Sequence, residues 1–121
     1  MSRPVLTPAG IVDVVAAVTN VTAERMRSPA AIDDGVKLRP SGPWTPARKA
    51  RGLALYLIGW RCRLATDHAV SALLAIAPLR IADERDAFRE LMRRSPELRA
   101  WCRRAEDILP EVRLGKARAK V

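Results

Sequence analysis

Side chains able to grip a polyanion crowd into one acid-free part of this chain. Residues 37–66 hold Lys37, Arg39, Arg48, Lys49, Arg51, Arg61 and Arg63, with no Asp or Glu among them. The chain has 121 residues and a net charge of +9. The segments on either side of the window are nearly balanced as far as residue 111. Cationic charge set apart in this way points to a surface aimed at nucleic acid, whereas scattered charge would serve only solubility. The basic residues are mostly Arg, whose planar fork matches phosphate and guanine edges better than the ammonium of Lys.

Other reactive types give little. His68 is the single histidine and follows Asp67. Adjacent helical residues do not face one another, so the pair reads as a capping Asp beside a surface or DNA-facing His rather than an acid–base dyad. Cys62 and Cys102 are the two cysteines and form no C-x-x-C pair. They are expected as reduced core residues, with neither a disulfide nor a zinc site. Asp33-Asp34 precedes a glycine and reads as a turn. Gly-rich phosphate loops, G-x-S-x-G and H-E-x-x-H are absent from the sequence, so an enzyme is the least favoured class and no cofactor is implied. The opening residues are too short and too polar a stretch for a signal peptide or a membrane span. The expected location is the cytoplasm, in association with the nucleoid.

The elements that position these side chains read as helices throughout. Ile11, Val14, Val15 and Val18 follow helical spacing after a Thr7-Pro8 cap, and Asn20 closes the helix. A short helix follows at 22–27. Residues 28–46 form a connection rich in Pro and Gly, long for a domain of this size. Thr45-Pro46 opens the longest helix, about 46–64, with Leu53, Leu57, Trp60 and Leu64 as its core stripe and Tyr56 beside it; Arg48, Arg51 and Arg63 lie off that stripe. Thr66-Asp67 caps the next helix, with Val70, Leu73, Leu74 and Ala77 inward. Pro78 breaks the chain. Ile81, Phe88, Leu91 and Met92 mark a helix at 80–94. Ser95-Pro96 opens the last one, with Leu98, Trp101, Cys102, Ala105 and Leu109 inward. The expectation is an all-α domain over 1–111, five or six helices, followed by a basic and disordered tail at 112–121. The consecutive helices at 66–77 and 80–94 follow the plan of a helix-turn-helix unit on a helical core.

Three segments carry a family resemblance. They are the apolar helix at 11–16 with Val21-Thr22-Ala23-Glu24-Arg25-Met26-Arg27-Ser28, the run Arg48-Lys49-Ala50-Arg51-Gly52-Leu53-Ala54-Leu55-Tyr56-Leu57, and Thr66-Asp67-His68-Ala69-Val70-Ser71-Ala72-Leu73-Leu74. Over residues 8–109 the chain resembles the C-terminal duplex-DNA-binding domain of the bacterial replication initiator DnaA, a Trp-repressor-like helical fold. The middle run is similar to that family's "A-R-x-x-A-M-Y-L" helix, and the last to "S-L-x-E-I-G-x-x-F". The family's recognition motif "R-D-H-[ST]-T-V" has no counterpart at Arg80-Ile81-Ala82-Asp83-Glu84-Arg85, so binding to the replication-origin box is not carried over. The ATPase module is also missing.

The resemblance implies a stand-alone, sequence-selective double-stranded-DNA-binding regulator. Such domains occur in alphaproteobacterial and prophage regulators, including activators of gene transfer agents. In this reading Arg48, Lys49 and Arg51 grip phosphate at a helix entrance. Lys37 or Arg39 reaches the minor groove. Thr66 caps its helix near phosphate, and His68 faces the DNA. Arg80, Arg85 and Arg89 meet bases or phosphates, with Arg85 alternatively paired to a local Asp or Glu. Five to seven engaged cations correspond to a salt slope of roughly −5 to −6. The alternative from another class is a helical adaptor that docks on RNA polymerase or a second regulatory protein.

Overall fold

Thr and Ser side chains start nearly every helix of this protein. The computed structural model describes residues 6–27, 44–62 and 65–109. Among them are six α-helices and no strand: α1 (Pro8–Thr19), α2 (Ala23–Arg27), α3 (Pro46–Arg61), α4 (Asp67–Leu74), α5 (Pro78–Arg93) and α6 (Pro96–Ile108). The hydroxyls of Thr7, Thr22, Thr45, Thr66 and Ser95 accept the amides of Gly10, Arg25, Arg48, Ala69 and Leu98 at 3.0–3.2 Å. Each satisfies an amide that the helix itself leaves open, worth about 1 kcal/mol. Asn20 ends α1 in the left-handed conformation expected of a closing residue. Pro78 does more than break the chain: it opens α5 as a first-turn proline, so the helix starts two residues before the predicted 80.

The architecture is built round α3. Ten of its residues, from Ala47 to Ile58, are buried. It packs most extensively against α5 and α1, and also against α2. Its run 52–60 contains no charge, and a helix that is apolar on most sides belongs in a core. The expected stripe holds at Leu53 and Leu57. Trp60, however, is 46% exposed, and Leu64 lies outside the described residues. Ala77 is exposed instead of facing inward, and the buried Ile76 anchors the α4–α5 turn in its place. Leu98, Ala105 and Leu109 of the α6 stripe are buried, with Trp101 and Cys102 partly covered. Both cysteines are free thiols. The connection at 28–43 and the tail at 110–121 are outside the described residues.

Glycine decides how closely α3 and α5 approach. A Cβ placed on Gly52 would sit 2.5 Å from Phe88 Cδ1 and 3.0 Å from Phe88 Cβ, and one on Gly59 would sit 2.5 Å from Arg85 Nε. Phe88 is fully buried and has no space to retreat. Gly52→Ala is therefore expected to destabilise the protein by about 1–3 kcal/mol in urea unfolding, despite the better helix propensity of Ala. Unchanged stability would mean that the helices can separate at little cost.

Candidate nucleic-acid interface

The window of cations divides on folding. Arg48 and Arg51 are both 1% exposed. Arg48 Nε donates to Glu84 Oε2 at 2.8 Å and its Nη2 donates to Oε1 at 3.0 Å, a two-pronged fork. Arg51 Nη2 reaches the same Glu84 Oε2 at 3.5 Å. The guanidinium of Arg48 also lies 3.9 Å from the centre of the Trp44 ring. That ring tilts against Phe88 with centroids 6.1 Å apart. The reading of Arg48 and Arg51 as surface cations that grip phosphate is corrected by this geometry. Both join α3 to α5 through a shared carboxylate, and neither offers a guanidinium to solvent. Burial lowers the pKa of Arg51, opposed by the Glu84 charge.

Arg61 also turns inward. Its side chain is 4% exposed and its Nη2 lies 3.0 Å from Glu106 Oε1, an ion pair without hydrogen-bond alignment. Its guanidinium rests 4.8 Å from the Trp60 ring centre. Acidic residues far along the chain thus occupy three of the seven cations of the window. Lys49 is half-buried. Lys37, Arg39 and Arg63 lie outside the described residues.

The helix-turn-helix candidate has a defined form. α4 ends at Ala75, which takes the left-handed conformation and donates its amide to Ser71. Residues 75–77 then lead directly into α5. Thr66, Asp67, His68 and Ala69 are all exposed. Thr66 serves as the cap, and Asp67 complements the helix dipole. Arg80 is half-buried near Arg51. Arg85 resolves the alternatives left open for it in a third way: its Nε donates to the Leu55 carbonyl at 2.9 Å. Arg89 is exposed and pairs with Asp86 at 3.3 Å, while Arg93 pairs with Glu90 at 3.1 Å. Exposed pairs of this kind contribute a few tenths of a kcal/mol. They leave the solvent face of α5 close to neutral.

The sequence reading missed Glu84, whose signal is visible. Ile81, Glu84 and Phe88 fall at i, i+3 and i+7, so a carboxylate stands inside the apolar stripe of α5. A charge on a core face requires a buried partner.

Among the described residues, no three His, Cys, Asp or Glu side chains come together as a metal site. None of the described helices is long and apolar enough to cross a membrane. No protein-family model matches the chain, and neither the curated proteins nor the solved structures contain a match.

Glu84→Gln is expected to cost about 3–5 kcal/mol, because two buried guanidinium groups lose their counter-charge. Arg51→Met removes a long contact and an unpartnered Nε, and should cost at least about 2 kcal/mol less. Equal losses in chemical denaturation would contradict the asymmetry. A second expectation concerns pH. Burial, reinforced by Glu106, pushes the Cys102 thiol up from 9.0 to about 11. The folded state thus favours the neutral thiol, and the associated stability is complete below the unfolded pKa. It declines as pH rises from about 9 to about 11. Cys102→Ser should flatten that part of the melting profile.

Proposed function

We propose that this chain is a sequence-selective double-stranded-DNA-binding protein and a regulator, most simply an activator, of bacterial or prophage genes. On this reading it is a divergent relative of the DnaA C-terminal domain. The observation that carries the proposal is the α4–turn–α5 unit: α5 packs on α3, α4 packs on α5, α1 and α2, and the first turn of α4 is on the surface. α5 presents Arg80 and Arg89 to the groove, and Thr66 and His68 approach the flanking phosphates. Lys49, with Lys37 and Arg39 from the preceding segment, adds sequence-independent attraction. Arg48 and Arg51 have a different part: they hold α5 in place and do not touch DNA. The acidic residues exposed on α5, Asp83, Asp86 and Glu90, suit a reader that accepts from cytosine amino groups better than a non-specific coat.

A second reading, a protein adaptor that docks on RNA polymerase or another regulator, draws support from Leu79. This side chain is 93% exposed at the start of α5, and the face beyond it neutralises itself. Fluorescence anisotropy against random duplex at low and moderate salt separates the two readings. Duplex binding predicts a slope of log K against log salt of about −4 or steeper. A slope near zero, or no binding at either salt, removes DNA as the partner and favours the adaptor.

A further inference from the structure

The folded protein exposes a second run of cations besides the window at 37–66. Residues 93–104 place Arg93, Arg94, Arg99, Arg103 and Arg104 on the surface with Glu97 as the exposed acid among them. Arg93 is engaged by Glu90. Among the described residues, Arg94, Arg103 and Arg104 form no ion pair. Arg99 donates through Nη1 to the carbonyls of Met92 and Arg93 at 3.2 and 2.7 Å. It thereby satisfies the open end of α5 and fixes the α5–α6 corner. Arg103 stands one turn beyond Arg99 on α6, about 6 Å along the axis. The corner therefore holds one fixed guanidinium, Arg99, with Arg94, Arg103 and Arg104 exposed near it in the chain. Residues 93–104 expose no apolar side chain except Pro96; the exposed Asp107 and Ile108 follow one turn beyond Arg103 and Arg104 on α6. Guanidinium forks in excess over carboxylates suit phosphate oxygens.

We infer that the Arg94–Arg103–Arg104 face is a phosphate-backbone contact surface for nucleic acid, separate from the α4–α5 turn. The inference rests on the duplex-binding reading above and adds to it a second point of attachment. α5 is 16 residues long, so the corner lies about 24 Å from the α4–α5 turn along the helix. That separation lets one end of α5 approach a groove while the corner meets a neighbouring stretch of backbone.

The test measures anisotropy of a labelled random duplex against the full chain over a range of salt. The triple variant Arg94→Gln, Arg103→Gln, Arg104→Gln leaves the Arg99 corner intact. Its slope should be shallower by about 2–3, with affinity lower by on the order of 10- to 100-fold near 0.1 M salt. The variant Arg25→Gln, Arg27→Gln removes exposed charge from α2 and should stay near wild type. Circular dichroism melting confirms that both variants fold. A wild-type slope in the triple variant overturns the inference and leaves the duplex reading standing. An equal loss per charge in the α2 variant also overturns it, since net charge alone would then explain the effect. Wild-type duplex binding by the triple variant, together with lost affinity for polyglutamate, would reassign the face to an acidic protein. Failure of the wild-type chain to bind any duplex removes both proposals.

Discussion

One carboxylate holds the centre of this structure. Glu84 lies between Arg48 and Arg51 at the contact of α3 with α5, and every other helix is placed with respect to that pair. The arrangement is unequal, because two guanidinium groups share one acid. A buried ion pair seldom outdoes a well-packed apolar contact in stability, but breaking one is costly. Its clearest effect is therefore to define register. With Glu84 beneath Arg48, Phe88 falls on Gly52 and Arg85 on Gly59, where the missing side chains allow contact. A slide of α5 along α3 would strand the charge and collide with a Cβ-bearing neighbour.

The same contact redistributes charge over the molecule. A stretch that looks uniformly cationic in the sequence places Arg48, Arg51 and Arg61 against acids from α5 and α6. The exposed cations gather instead at residues 93–104, where five arginines stand against Glu97. Net charge along a chain and net charge on a surface are different quantities, because salt bridges connect residues 33 to 45 positions apart as readily as neighbours.

Helix boundaries were largely legible. The signals Thr7-Pro8, Thr45-Pro46, Thr66-Asp67 and Ser95-Pro96 each mark a real start, since capping is a local contest between a side chain and water for a backbone amide. Asn20 and the spacing of the α1 valines were equally local. Less of the candidate site could be read. Thr66 caps as expected, but the side-chain direction of Arg48, Arg51, Arg61 and Arg85 depended on partners in other helices.

The amino-acid sequence by itself determined that this is an all-helical protein rich in arginine, with most of its helix starts written in hydroxyl and proline residues. Those properties depend on spacing and on interactions within a few residues. Only the tertiary structure decided which arginines meet water. Desolvating a guanidinium is tolerable where a carboxylate waits at hydrogen-bond distance, and the carboxylate that waits for Arg48 is 36 residues away.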